Sequence, residues 1–353
     1  MAAIAPDAPP ETPFVTLVVA MRNEAESIQA CLESILAQDY PADRLEVLVF
    51  DGDSTDRSRE IAERVLAGRQ RAEVRPNPQR IQAVAWNLGI DAAAGDVIGI
   101  MSGHAVLAPD YVSAAVDVLA RTGAEMVGGP VRALGSGRVA EAIAVATSGP
   151  FGVGGAQFRY LDSEKDVDTV FMGVCRADVY RRYRFDEEMV RNQDDELSYR
   201  ILDAGGRIVC SPAIKSSYRS RTTLARLWRQ YFDYGWWKVR VMQKHPAQVR
   251  GRHLVPTAFV IAILGGAVVT IALSPGVILF GGVLAAYLSA MAVSITRQRH
   301  GARAGVLAVL PAVYLTLHGA YGIGVIAGLL RHRSWPKGSL RLMARQLLRR
   351  ATR

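Results

Sequence analysis

The stretch "EVLVFDGDSTDRS", residues 46–58, decides how the rest of the chain is read. An apolar run from Val47 to Phe50 stops at three carboxylates, Asp51, Asp53 and Asp56. A short unbroken apolar run bounded by turn formers is the pattern of a strand buried on both faces, as a parallel sheet requires. The residues after it, "STDRSREIAERVLA", have helical spacing. Ser54 or Thr55 is placed to cap that helix, and Asp56 to sit against its N-terminus. A calcium loop needs Gly at its sixth position and Glu at its twelfth, and here those are Asp56 and Ala62. A phosphate loop is Gly-rich and carries Lys, whereas this one would repel phosphate. A carboxylate at a strand end can accept from the N–H edge of a base or from ribose hydroxyls. Asp51 and Asp53 therefore read as a nucleoside pocket, although a loop that merely caps a helix fits the local sequence as well.

Working outward, "FVTLVVAM" (14–21) is a second buried strand. The segment 24–38 spaces Ile28, Cys31, Leu32, Ile35 and Leu36 along one helical face, with acids in the first turn, where the macrodipole favours them. "AEVRPN" reads as a strand, "QRIQAVAWNLGIDAA" as a helix ending near Gly95, and "DVIGIM" (96–101) as a further strand. Strand–helix alternation predicts a parallel sheet covered on both faces, with its ligand at the carboxyl ends of the strands.

Charge is divided unevenly along the 353 residues, whose formal net charge is +9. The last acidic residue is Asp233, and residues 234–353 hold 16 Lys or Arg. That basic part is also the most apolar, which favours a membrane surface over nucleic acid. Cys31, Cys175 and Cys210 are odd in number and far apart, without metal spacing, so neither a disulfide framework nor a zinc site is expected. The Pro-rich, acidic N-terminus has no apolar signal core and reads as a disordered lead-in in the cytoplasm.

Residues 254–273 and 277–295 are each long and apolar enough to span a bilayer, with "SPG" as a tight break between them. A third apolar stretch, 304–330, is interrupted by Pro311, His318 and several glycines. Basic residues flank the first span (Arg250, Arg252), the second connection (Arg297, Arg299, Arg303) and the tail, which carries eight Lys or Arg from Arg331 onward. Three crossings would place that tail opposite the other basic flanks, while an even number keeps all of them on one side. The expectation is two spans and a re-entrant or interfacial third stretch, with three plain spans as the alternative. The tail "GSLRLMARQLLRRATR" puts Leu340, Met343 and Leu347 on one helical face and Arg341, Arg345 and Arg349 on another, a pattern suited to anionic headgroups.

Four ordered segments carry a family resemblance. "VVAMRNEAESIQACLESILAQDYP" followed by "LEVLVFDGDSTDRS" resembles the nucleotide-binding half of the inverting family-2 glycosyltransferases of GT-A fold. "NPQRIQAVAWNLGIDAAAGD" is similar to the family's basic, Ala-x-Asn-x-Gly, Gly-Asp run, and "RNQDDELSYRI" (191–201) to its acceptor-side E-D-x-E-L run. "RLWRQYFDYGWWKVR" (226–240) stands where the family has a Gln/Arg/Trp-rich interfacial helix. The resemblance covers about residues 13–240 and is nearest to membrane-bound enzymes of exopolysaccharide assembly. It implies that Ala20, Arg22 and Glu24 line the base and ribose, that Asp51 and Asp53 hold the nucleoside, that Arg80 lies near the diphosphate, and that Asp194 is the catalytic base. Independently, transfer to a hydroxyl needs a proton acceptor within reach of the attacking oxygen. Only one or two of the three acids in "QDDEL" can face a cleft from a helix. A solvated helix start fits those acids too, and Gln193 replaces the customary Glu.

The sequence departs from the family at "IGIMSGHAVLAPDYV". The family's strand ends in a D-x-D or D-x-H site for Mg²⁺ or Mn²⁺, and here Ser102 takes the place of the first Asp and only His104 keeps metal-ligand chemistry. Three readings stay open: metal held by His104 and the diphosphate, positive side chains (Arg80, Arg229, Lys238) in its place, or a silent binding scaffold. The aromatic run with Arg229, Gln230, Trp236, Trp237 and Lys238 reads as an acceptor-side helix at the bilayer surface, with core packing and base stacking as alternatives. "SGPFGVGGAQFRY" (148–160) reads as a flexible loop over the cleft or an inert connector.

The expected fold class is α/β: a GT-A catalytic domain, Rossmann-like with a mostly parallel sheet, followed by C-terminal transmembrane or interfacial helices. The expected divisions are 1–12 lead-in, 13–225 catalytic domain, 226–253 interfacial helices, 254–330 membrane region and 331–353 basic tail. The expected activity is hexose transfer from a nucleotide sugar to a lipid-linked polyprenyl acceptor, on the cytoplasmic face of the inner membrane. The partners are a nucleotide-sugar donor, that acceptor and anionic lipid, with no nucleic acid. A polyprenyl-phosphate sugar synthase is the nearest alternative.

Overall fold

The computed structural model describes residues 12–272, 276–299 and 301–351. The expected lead-in, apart from residue 12, lies outside the described residues, as do Ser274 and Pro275 of the expected break. In chain order the elements begin β1 (Val15–Met21), α1 (Ile28–Leu36), β2 (Leu45–Asp51), α2 (Ser58–Leu66), β3 (Ala72–Pro76), α3 (Gln82–Ala92), β4 (Val97–Ser102), β5 (Ala105–Leu107) and α4 (Tyr111–Thr122). They continue β6 (Met126–Gly128), β7 (Val131–Leu134), α5 (Arg138–Thr147), α6 (Pro150–Val153), β8 (Lys165–Asp166), β9 (Val174–Arg176), α7 (Ala177–Tyr183), α8 (Gln193–Asp203), β10 (Ile208–Cys210) and β11 (Ser216–Arg219). The C-terminal helices are α9 (Leu224–Lys244), α10 (Val255–Ala272), α11 (Gly276–Gln298), α12 (Ala304–Leu307), α13 (Leu310–Arg331) and α14 (Ser339–Ala351).

The chain forms two compact units, one of residues up to Arg132 with Leu161–Tyr218, the other of Ala133–Tyr160 with residues from Arg219. In the first unit an eight-stranded sheet has the order β3-β2-β1-β4-β9-β6-β10-β8. β3, β2, β1 and β4 run parallel, while β9 is antiparallel to both β4 and β6. β1 is buried at all seven positions, so the unbroken apolar run is a strand covered on both faces. Register aligns the strand ends: Met21 faces Asp51, Ala20 faces Ser102, and Asp51 faces Pro76. The loops after four strands therefore open on one edge. α1 packs Ile28, Cys31, Leu32 and Ile35 into the core of one sheet face.

α2 begins at Ser58, later than expected, and its N-cap residue is Arg57 with no side-chain cap. Neither Ser54 nor Thr55 caps it, because both are drawn to Asn23. Asp56 sits where expected, accepting from the Ser58 N–H at 2.9 Å. Partial desolvation pushes the Asp56 carboxyl up, but hydrogen bonds from Ser58 and the Ala25 N–H outweigh it and hold the group below its ordinary range.

The second unit takes in residues 133–160, which fall inside the catalytic domain expected from the sequence. α5 contributes Ala142, Ile143 and Ala146 to a core shared with Leu310, Val313, Tyr314 and Leu317 of α13. The segment expected to be a loose loop over a cleft is docked at one end: Phe151 packs edge-on to Tyr314 and His318, and its carbonyl lies 2.8 Å from His318 Nε2. The expected interruptions of the third apolar stretch are not breaks. Pro311 stands in the first turn of α13, where its missing N–H is harmless, and the helix runs on to Arg331. The glycines are contact points with neighbouring helices. A Cβ on Gly324 would lie 2.2 Å from the Phe232 carbonyl oxygen, one on Gly328 2.9 Å from that of Trp236, and one on Gly235 2.2 Å from that of Tyr321. α9 and α13 thus approach backbone to backbone along their length.

Among the described residues two helical segments are long and apolar enough to cross a membrane, Phe280–Gln298 and Ala304–Arg331, with mean hydropathy 1.3 and 1.6. The described apolar part of α10, Val255–Gly266, is shorter. α14 is helical, as its periodicity predicts, but its apolar face is divided. Met343 and Leu347 pack on the cluster of Val239, Met242, Val249 and Val325. Leu340 and Leu348 remain 53% and 69% exposed, beside the exposed Arg341 and Arg345.

Candidate active site

The edge where β1, β2, β3 and β4 end gathers most of the residues singled out from the sequence. Ladder-like bonds continue one step beyond the strands: Gly52 N–H to Met21 O at 2.9 Å, Gly103 N–H to Ala20 O at 3.0 Å and Asn77 N–H to Asp51 O at 2.7 Å. The acidic loop after β2 is then laced to the loop after β1. Asn23 donates its N–H to Ser54 Oγ at 2.9 Å and accepts the Thr55 N–H on Oδ1 at 2.8 Å. Glu24 N–H reaches Ser58 Oγ at 2.6 Å and Ala25 N–H reaches Asp56 at 3.2 Å. These bonds convert two flexible-looking loops into one body.

Asp51 is 4% exposed, and Ser54 Oγ donates to its Oδ1 at 2.5 Å. Asp53 is exposed and ion-paired with Arg80. Ala20 is buried at the floor, and the exposed Arg22 runs past Gly52, where a Cβ would meet its Cβ at 3.2 Å. Six non-glycine residues among those described have positive φ. Four of them, Asn23 (54°), Asp53 (58°), Arg80 (61°) and Asn192 (58°), stand in these loops or just before α8. Each left-handed residue costs about 1 kcal/mol, least for Asn and Asp. Such strain is held only where surroundings over-determine it, as at a binding site.

Glu24 and His104 meet at 2.9 Å through Oε1 and Nδ1, and Ser27 Oγ donates to Glu24 Oε2 at 2.8 Å. With Nδ1–H donating to the carboxylate, His104 Nε2 carries the lone pair. Tyr218 of β11 approaches the imidazole edge-on, ring centroids 6.3 Å apart. Ser102 is 3% exposed and its hydroxyl oxygen accepts from Gln82 Nε2 at 3.2 Å. Among the described residues no group of three His, Cys, Asp or Glu could hold a metal ion. His104 Nε2 fits a single metal bond, oriented by Glu24 in the way that fixes a histidine ligand. Ser102 offers only a weak ligand, a neutral and buried hydroxyl with one lone pair already taken by the Gln82 amide. Of the two residues at the family's metal position, His104 is the one that would bind a metal ion, with diphosphate oxygens and water completing its shell.

The three acids of "QDDEL" have separate fates. Glu196 is 3% exposed and paired with Arg200 at 2.7 Å, whose guanidinium also binds the carbonyls of Tyr183 and Arg184. Asp194 and Asp195 lie half-buried in the first turn of α8, and Asp194 Oδ1 accepts the Asp195 N–H at 3.0 Å. Gln193 is 4% exposed and bonds Gln82, not a carboxylate. The loop before α8 is fixed by Asn87, which accepts the Phe185 N–H at 2.8 Å and donates to Phe185 O at 2.9 Å and Glu187 Oε1 at 2.8 Å. Asn23, Gln82 and Asn87 were missed as site-building residues. The Ala-x-Asn-x-Gly run holds Asn87 and the family-like Arg-Asn-Glu run holds Asn23, while no motif assigns a role to Gln82.

The residues expected on the acceptor side lie on α9, in the second unit. Arg229 is exposed, while Gln230 accepts from Arg221 at 3.2 Å and donates to the Tyr234 hydroxyl at 2.9 Å. Trp236 packs edge-on to His332, and Trp237 is half-buried. Lys238 is only 8% exposed, so it does not present an open ammonium as a substitute for a metal.

Residues 16–184 match the signature of glycosyl transferase family 2. The succinoglycan biosynthesis protein ExoA of Rhizobium meliloti (strain 1021) is 30% identical over 245 residues, covering 69% of this chain and 74% of that protein. The chain belongs to glycosyl transferase family 2. This glycosyltransferase is also similar over 330 residues, at 26% identity, to the dolichyl N-acetyl-α-D-glucosaminyl phosphate 3-β-D-2,3-diacetamido-2,3-dideoxy-β-D-glucuronosyltransferase of Methanococcus voltae, covering 91% of this chain and 98% of that one. In fold it resembles the mannosyltransferase PcManGT of Pyrobaculum calidifontis, solved with GDP-Man and Mn²⁺, at a TM-score of 0.53 and 18% identity over 92% of this chain and 90% of that one. The GT-A architecture expected from the sequence is thereby established.

Proposed function

We propose that this glycosyltransferase moves a hexose, with inversion, from a nucleotide diphosphate sugar, UDP-linked by preference, to a saccharide carried on a polyprenyl lipid, as a membrane-bound enzyme of exopolysaccharide or envelope glycan assembly facing the cytoplasm. The observation that carries the reading is the convergence of Asp51, the Asp53–Arg80 pair and the Glu24–His104 pair on one sheet edge. Asp51 and Asp53 offer carboxylates to the base and ribose. Arg80, already held beside Asp53, offers its guanidinium to the diphosphate. Asp194, half-buried in the first turn of α8, takes the proton of the attacking hydroxyl. A divalent cation arriving with the diphosphate would be held by His104 and would neutralise charge on the leaving group. A lipid-linked saccharide, rather than a bare lipid phosphate, is supported by the relative from Methanococcus voltae, whose name specifies transfer to a dolichyl-phosphate-linked sugar. The basic, apolar C-terminal part supports anionic lipid as a partner.

Calorimetry of the purified full chain with UDP and GDP, each with Mn²⁺ and with EDTA, tests the donor site. Binding of one nucleotide is expected, strengthened by Mn²⁺. Asp194→Asn is expected to keep that affinity and to lose transfer by about 10²-fold or more. Folded protein that binds neither nucleotide would overturn the reading.

A further inference from the structure

We propose that Gln82 is a positioning residue that ties the start of α8, and with it Asp194, to the carboxyl end of β4. The inference rests on the reading of Asp194 as the base. Gln82 is the first residue of α3, and its side chain bridges two buried partners. Its Nε2 donates to Ser102 Oγ at 3.2 Å, and its Oε1 accepts from Gln193 Nε2 at 2.9 Å. Ser102 and Gln193 are 3% and 4% exposed, so neither can exchange its partner for bulk water without opening the site. Leaving such a group unpaired is the expensive outcome, which makes the bridge a constraint on geometry.

The bridge joins the end of β4 to the start of α8, two elements far apart in the sequence. Ser102 ends a central strand, whereas Gln193 begins a helix whose approach is a left-handed Asn192. Gln193 is adjacent to Asp194, so a shift of the helix start moves the carboxylate with it. The bridge is also neutral throughout. Carboxylates at positions 102 and 193 would crowd Asp194 with like charge and raise its pKa. Two amides and a hydroxyl hold the same geometry without that field, which gives Ser102 and Gln193 a common reason.

The experiment compares wild type, Gln82→Ala, Gln82→Glu and Asp194→Asn as full chains in detergent. Hydrogen–deuterium exchange is read without ligand. Nucleotide release is followed as donor hydrolysis, with water taking the hexose, using whichever of UDP-glucose and GDP-mannose the wild type turns over faster. Gln82→Ala should raise deuterium uptake at amides 193–197 and lower kcat about ten- to a hundredfold, with nucleotide Kd within about twofold of wild type. Gln82→Glu should restore protection, because the Ser102 hydroxyl can turn to donate. It should also move the acidic limb of the kcat–pH profile upward, since the new carboxylate opposes ionisation of the base. Unchanged uptake at 193–197 in Gln82→Ala, unchanged kcat, or an unmoved limb in Gln82→Glu would overturn the proposal. Turnover surviving in Asp194→Asn would instead overturn the base assignment, and the exchange result alone would then decide whether Gln82 holds α8.

Discussion

Ser102 concentrates the chemistry of the site in one hydroxyl. It stands at the end of β4, and its oxygen accepts from Gln82. Replacing it with Asp keeps an acceptor for that amide and adds a charge beside His104. Ser102→Asp is therefore expected to increase the Mn²⁺ dependence of nucleotide binding about tenfold, an effect of the size of one added charge-assisted contact. Calorimetry with Mn²⁺ and with EDTA checks it, and equal gains in both media would show that the new carboxylate does not reach the cation. Asp51 and Asp53 were legible because an apolar run that stops at carboxylates is a local pattern. Glu24 and His104 were legible separately, but their pairing spans 80 residues and appears only when β1 and β4 lie side by side. Gln82 was not legible at all. A Gln at a helix start looks like any solvated residue, and its partners lie 20 and 111 positions away.

Elements behave differently from residues, because periodicity reports that a face exists and not what covers it. α14 was predicted with its apolar face toward lipid, yet Met343 and Leu347 of that face pack on the protein itself. α13 was predicted as an interrupted stretch because Pro and Gly disfavour helix interiors in water. Here Pro311 falls in the first turn, and Gly324 and Gly328 are places where a neighbouring backbone leaves no room for a side chain. A substitution at Gly324 tests this. Its Cβ would stand 2.2 Å from the Phe232 carbonyl, too close for any rotamer to relieve. Gly324→Val should destabilise by about 3 kcal/mol or more, at the upper end of overpacking. In a detergent thermal scan the expected result is an earlier unfolding transition and poorer yield. Gly282→Ala, where nothing lies within 4 Å of the added Cβ, should leave both unchanged. Equal behaviour of the two variants would mean that α9 and α13 are not locked together at this point.

For the molecule as a whole, the C-terminal helices decide how the chain meets a bilayer. The first strands and helices of the sheet were readable in order, but residues 133–160 were not separable from them, because nothing local marks a segment that leaves one core for another. The positive-inside pattern asks for an even number of crossings, and the packing of α13 supplies a physical reason for one. α9 carries Arg226, Arg229, Asp233, Lys238 and Arg240, too many charges for a helix that crosses a membrane. α13 lies along α9 through Gly324 and Gly328, so the depth of one sets the depth of the other. On the two-span expectation α13 stays at the interface, α10 and α11 are the crossing pair and every basic flank lies on one side, although Ala304–Arg331 is itself long and apolar enough to cross. Cysteine labelling in sealed vesicles tests this without removing the native thiols. Cys31 and Cys210 are buried, and burial pushes both thiols up to about 12, so they react slowly at neutral pH. Cys175 is likewise buried, and its thiol is raised further for the same reason. Arg345→Cys on α14 and Gln29→Cys on α1 are both at exposed positions. They should be labelled from the same side by a membrane-impermeant maleimide. Labelling from opposite sides would mean that α13 crosses, and that the close packing of α9 and α13 does not keep them at the same depth.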